Sequence, residues 1–208
     1  MERYILVAAV LIMAFASAII PKIMRNRYQN KFLELFKQGE FDQLDELLNK
    51  SIVKYLFMPF NLEYIRLNIA LIKEDSVAID KQIDLLTSMK MTEKQKEDVY
   101  LKALNYYVTL ENSDRAKKMH ELVMTLKDEK LKKSADITYD VFVNKGYKYL
   151  DELEKNLDDC SKDYKVFNCY LVALMYENKN DKKKAEYYHS LTEKLKIELN
   201  EKIKEEKK

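Results

Sequence analysis

Glycine, proline, cysteine and histidine occur only twice each in this chain of 208 residues, and tryptophan not at all. With so few glycines and prolines there are not enough tight-turn residues for a many-stranded sheet. Strong helix formers (Lys, Glu, Leu and Ala) dominate instead, and an all-α fold follows. Arginine is also scarce: five of the 37 basic residues are Arg, namely Arg3, Arg25, Arg27, Arg66 and Arg115. Against 35 acidic residues the net charge is +2, without the clustered basic excess that marks a nucleic-acid binder. A chain rich in Lys, Asn, Ile and Tyr and lacking Trp suggests an AT-rich, bacterial genome. Hydrophobic residues make up 47%, enough apolar surface for a core, so disorder is expected only at the C-terminus.

Chemistry is absent from the motifs. There is no glycine-rich phosphate loop, no HExxH and no G-x-S-x-G. His120 and His189 stand 69 residues apart, with no thiol or carboxylate pattern beside them, a poor zinc site. Their reading is structural, with a metal or pH-sensing role as the alternative. Cys160 and Cys169 are nine apart, unlike a zinc or CxxC pair. They read as small packing residues, with a regulatory disulfide as the alternative. No enzyme, cofactor or metal is expected.

Tyr4 to Ile20 reads YILVAAVLIMAFASAII. As a helix those residues reach roughly 25 Å, and continuing to Met24 adds about 6 Å, which just spans a bilayer core. Residues 1–24 therefore read as a single-pass membrane anchor. Two alternatives stay open. Ala16-Ser17-Ala18 is an A-x-A-like cleavage site, which favours a signal peptide, although the charged segment before the run is short and contains Glu2. A buried core helix would leave the missing polar face unexplained. Lys22, Arg25, Arg27 and Lys31 follow the run and outnumber the basic groups before it. This asymmetry places the large domain, residues 25–208, on the cytoplasmic side, with those four residues near anionic head groups.

The rest breaks into helix-sized pieces, with boundaries at Gly39, Pro59, Glu74-Asp75, Met91-Thr92, Asn112-Ser113, Gly146, Ser161 and Asn180-Asp181. Thr92 to Gln95 forms a capping box, and Ser113 and Asp181 are suitable N-caps. Pro59 fits a first helical turn and Gly146 a helix end. Aligning the second helix of each pair places Leu44, Ala78, Ala116, Leu150 and Ala185 in register, at intervals of 34, 38, 34 and 35.

A helix-turn-helix period near 34 residues, with small residues at three of the five positions, resembles the tetratricopeptide-repeat family. The resemblance covers the chain from about residue 22 to its end. Tyr28 and Tyr100 match the aromatic early in the first helix, and Tyr107 and Tyr176 the tyrosine that follows. Leu47, Leu48, Ser51 and Ile52 continue the pattern in unit one. Arg66 and Thr138 depart from the family's Gly or Ala, Phe32 is bulky there, and the inter-repeat proline is missing.

The resemblance implies an α-solenoid of about five helical hairpins behind the membrane helix, with residues 196–208 as a charged, solvent-facing helix end. It also implies a concave face lined by the first helices, suited to an amphipathic helix or apolar peptide of a partner protein. Projected onto this sequence, that face holds Phe60, Tyr64 and Leu67, then Leu101, Lys102 and Asn105. Tyr139 and Phe142 follow, and finally Phe167, Tyr170 and Leu174. The alternative is that these side chains are inter-helix core, with the register displaced by one. The function expected is a membrane-tethered, non-enzymatic interaction scaffold. The alternative is an exported, envelope-facing helical protein after signal-peptide cleavage.

Overall fold

The computed structural model describes the backbone of residues 2–159 and 161–205 and the side chains of residues 19–159, 161 and 164–201. The described residues are helical, without a strand. Two compact units divide the chain, Met1–Met91 and Thr92–Lys208.

In the first unit a long helix α1 (Glu2–Gln38) runs through Pro21 without a break at residue 24. It turns at Gly39 into α2 (Phe41–Asn49), which is followed directly by α3 (Ser51–Leu56). A second hairpin joins α4 (Pro59–Ile72) to α5 (Ser76–Ser88). In the second unit the pairs are α6 (Glu93–Thr109) with α7 (Ser113–Val123), α8 (Glu129–Phe142) with α9 (Leu150–Lys155), and α10 (Lys162–Asn178) with α11 (Lys182–Glu205). There α8 packs on both α6 and α7, and α10 on α8, α9 and α11, so the short α9 rests chiefly on α10.

One turn design recurs in every pair. Gly39, Glu74, Glu111, Lys145 and Asn180 all have left-handed backbones, with φ of 74°, 54°, 54°, 51° and 63°. Their spacings are 35, 37, 34 and 35. In four turns the next N–H donates to the carbonyl five residues back, closing a Schellman motif that satisfies an orphan helix-end carbonyl. These bonds run from Glu40 to Leu35, Asp75 to Ala70 and Asn112 to Tyr107 at 3.0 Å, and from Asp181 to Tyr176 at 2.9 Å. That same residue then begins the second helix. The side chains of Asp75, Asn112 and Asp181 cap it by accepting from the N–H of Ala78, Arg115 and Lys184.

The turn corrects two expectations. Asn112, rather than Ser113, is the cap of α7. The buried position four residues beyond the cap is Ile79 in the second hairpin, not Ala78, which is only half-buried. Leu44, Ile79, Ala116, Leu150 and Ala185 are all buried, and they repeat the spacings of the left-handed residues. Alanine was a misleading marker because an Ile serves equally well at a packed helix crossing.

Two further local expectations stand, while the helix end expected at Gly146 falls at Phe142. Thr92 and Gln95 make both bonds of the capping box, and Pro59 opens α4. Tyr100, Tyr107 and Tyr176 are buried. The core of the first unit centres on Leu44, Leu48, Val53 and the Phe32–Phe57 ring pair at 5.2 Å. In the second unit Cys169, Val172, Ala173 and Met175 of α10 are buried. Each large side chain so buried contributes about 1.5–3 kcal/mol. Cys160, and with it the disulfide alternative, lies outside the described residues, as do residues 206–208 of the charged end.

Among the described residues no helix is long and apolar enough to cross a membrane. The run expected to do so falls mainly on residues 1–18, whose side chains lie outside the described set.

Candidate functional site

Along the exposed end of α1, Gln29 and Phe36 each lie three or four residues from both Phe32 and Leu33, which puts the four on one side of the helix. Ile65 and Asn68 of α4 face them, and Leu44 of α2 closes the floor. Together they enclose an apolar notch of about 470 Å³, also flanked by Asn30. Phe32 and Leu44 are buried, while Leu33 at the rim is 59% exposed. Asn68 Nδ2 donates to the Tyr64 carbonyl at 2.8 Å, which fixes the amide at the edge. The volume lies within the range of natural ligand pockets, and the lining is apolar with a few amides. It suits an apolar side chain carried on a peptide or helix.

The expected groove residues separate into three groups. Phe60 and Leu67 are buried, so they belong to the core and present no face to a partner. The helix α4 packs on both α5 and α2, which covers much of its apolar surface. Tyr64 is half-buried and stacks on Phe60 at 5.7 Å. Phe142 packs against the α10 core, together with Leu174. Tyr139 stacks on His120, with ring centroids 4.3 Å apart. Phe167, Tyr170 and Asn105 are exposed, and Leu101 and Lys102 are partly so. Phe60, Tyr64 and Leu67 lie in the first unit and the others in the second.

The notch was missed because α1 was taken up to residue 24 as an anchor and the projected face began at Phe60. A signal was present. Phe32, bulky where the resemblance leads one to expect a small residue, forms a wall of the notch.

A second hollow of about 520 Å³ lies among α2, α4 and α5. Five of its charged residues are paired: Arg66 with Asp45 at 3.0 Å and Glu63 at 2.5 Å, and Lys73 with Asp42 at 2.7 Å. Arg66 is thus a local ion-pair hub. The side-chain carbonyl of Gln82 is buried there without a hydrogen-bond partner.

Two carboxylates organise the second unit. Asp136 of α8 accepts from His120 Nε2 at 2.9 Å, from Lys148 Nζ at 3.0 Å and from the Tyr149 hydroxyl. Burial acts to raise its pKa, but these three donors outweigh burial and hold it below the usual carboxylate value. Glu154 of α9 accepts from the Tyr176 and Tyr188 hydroxyls at 2.7 and 2.8 Å, with Lys184 Nζ 3.7 Å away. Burial again opposes, and the donors again win, so its pKa is lowered too. Both oxygens of each carboxylate are engaged, and the arrangement is a clasp between helices.

His120 and His189 sit at equivalent repeat positions, as the alignment implied, and each meets a carboxylate that the sequence did not reveal. His189 Nε2 lies 2.9 Å from Glu177 Oε1. Among the described residues no group of three or more His, Cys, Asp or Glu side chains is placed to hold a metal ion.

Of the four basic residues after the apolar run, Arg25 donates from Nε to the Leu56 carbonyl at 3.2 Å, and Lys31 pairs with Glu34 at 3.1 Å. Lys22 and Arg27 are exposed.

Comparison with known proteins gives no match to a family model, to a curated protein or to a solved structure.

Proposed function

We propose that the protein is a membrane-tethered interaction module. Residues 4–24 anchor it, a tetratricopeptide-like array of hairpins forms its cytoplasmic body, and the notch between α1 and α4 takes an apolar side chain from a peptide or amphipathic helix of a partner protein. The observation that carries the reading is the notch itself, an apolar hollow edged by amides that can meet a partner's main chain. The repeated turn supports the array. A single helical hairpin cannot bury its apolar stripe, and stacked copies cover one another.

The experiment is site-specific photo-crosslinking in cells. A photoreactive side chain at Leu33 should give a discrete adduct with another protein, and the same group at the exposed Tyr187 should not. An adduct at both positions, or at neither, speaks against a partner in the notch.

The second reading, an envelope-facing protein after cleavage, is favoured by Ala16-Ser17-Ala18. Reporters fused to Lys208, one active only inside the membrane and one only outside, separate the two.

A further inference from the structure

We propose that the α3–α4 junction is a second membrane contact, with Tyr55 and Met58 seated in the head-group region of an anionic bilayer beside the basic flank of α1. This rests on the reading of residues 4–24 as the membrane anchor.

The geometry comes from one bond. Arg25 Nε donates to the carbonyl of Leu56, 31 residues further along the chain. From Arg25 the helix α1 climbs to the turn at Gly39, a rise of about 20 Å. Then α2 and α3 return, and the bond fixes the end of α3 at the level of Arg25. Arg25 stands five residues past Ile20, where the apolar run ends, and directly after Met24, the last residue of the proposed anchor. The junction is therefore held where the anchor would leave the hydrocarbon.

What the junction displays there fits a lipid interface. Leu56 and Phe57 turn into the core, while Tyr55 is 80% exposed and Met58 67%. Aromatic side chains with a polar tip concentrate at the head-group level. The surroundings carry one sign of charge. Neither residues 3–33 nor residues 47–62 include an aspartate or glutamate, while Lys22, Arg25, Arg27, Lys50 and Lys54 all fall within them. Anionic lipids attract such a patch over about a Debye length. The contrast is Val77 on α5, which is 78% exposed but follows Glu74 and Asp75 and precedes Asp80 and Asp84. With Lys73 and Lys81 beside those four acidic residues, that patch lacks the single positive sign that would draw it to such a surface.

The absence of tryptophan makes the test direct. Single Tyr55→Trp, Met58→Trp, Leu11→Trp and Tyr187→Trp variants of the full chain are placed in vesicles of phosphatidylcholine and phosphatidylglycerol. Some vesicles carry lipid brominated along the acyl chain. Leu11→Trp reports the anchor, and Tyr187→Trp reports a site in water. Expected is strong bromine quenching of Leu11→Trp, clear quenching of Tyr55→Trp and Met58→Trp that is greatest for bromine near the head group, and none of Tyr187→Trp. Adding Lys50→Glu with Lys54→Glu should weaken the quenching at position 55 and leave that at position 11 unchanged. If Leu11→Trp is quenched while positions 55 and 58 behave like position 187, the junction contact is overturned and the anchor stands. Blue-shifted emission at 55 without quenching means a protein surface covers it, which also overturns the proposal. If Leu11→Trp is unquenched, the anchor reading fails and the junction contact with it.

Discussion

The two glycines of this protein occupy the same turn in two different hairpins, and they are glycine for opposite reasons. Gly39 carries the left-handed backbone itself, with φ of 74°, and a Cβ added to it would meet nothing within 4 Å. It is there for conformation. In the fourth hairpin the left-handed residue is Lys145, and Gly146 follows it. A Cβ on Gly146 would lie 2.3 Å from Asp140 Oδ1. It is there for space.

The difference extends to what holds each turn. Around Gly39 the chain closes on backbone bonds five residues apart, as in three other hairpins. Around Gly146 the closing bond reaches six residues back, to Asp140. The longer loop is stapled by side chains instead. Asp140 Oδ2 accepts from the Lys148 N–H at 3.0 Å, Asn178 Nδ2 donates to the carbonyls of Val141 and Gly146, and Asp136 holds Lys148 and Tyr149. A repeated turn can thus lengthen from three linking residues to seven when neighbouring helices supply polar side chains to bind its exposed backbone.

The comparison is broken most severely by Gly146→Ala. Crowding Asp140 should cost about 1–3 kcal/mol, read as a lower urea midpoint of the full chain. Asp140→Ala in the same chain removes the obstacle, so the double variant should lose less than the sum of the two single ones. Strict additivity would show that the space beside Asp140 is not what selects glycine.

Next in size is Asp136→Asn, at about 1–2 kcal/mol at neutral pH from its charge-assisted bonds. The sign of its pH dependence follows from the lowered pKa of Asp136. The stability it contributes is complete above the ordinary carboxylate value near pH 4 and is lost as pH falls through the lower folded value. The variant should therefore show a shallower loss of stability in acid than the parent. An identical acid slope would mean that the clasp is not ionised as described.

The smallest effects sharpen the conformational half of the comparison. Gly39→Ala should cost about 1 kcal/mol, because alanine resists the left-handed region. Glu111→Gly should move the other way, a gain of about 0.5 kcal/mol after the added unfolded-state entropy. Thermal unfolding of both variants checks the pair, and a loss of stability for Glu111→Gly would show that its side chain compensates the strain.

Much of this was legible in advance, and the exceptions have physical causes. The Thr92 capping box, Pro59 at a helix start and the Asp181 cap are local features, set within three or four residues. Ala78 was placed one residue early because the alignment followed side-chain size, while the register is set by the turn and its cap at Asp75. Gly146 was read as a helix end, although α8 stops at Phe142 and the strained backbone belongs to Lys145. The carboxylate partners of His120 and His189 were invisible because Asp136 and Glu177 lie on neighbouring helices, 16 and 12 residues away.

The sequence by itself determined the all-helical class and the chemistry of several turns, because helix propensity, capping and turn geometry act over a few residues. Only the tertiary structure decided which apolar side chains became core and which became surface. Phe60 and Leu67 went inward and Phe167 stayed exposed, although all three carry the same apolar signal. It also placed Phe32 beside Ile65, and Arg25 against Leu56. Those outcomes depend on the angle at which each hairpin meets its neighbour, and that angle is fixed by packing between residues far apart in the chain.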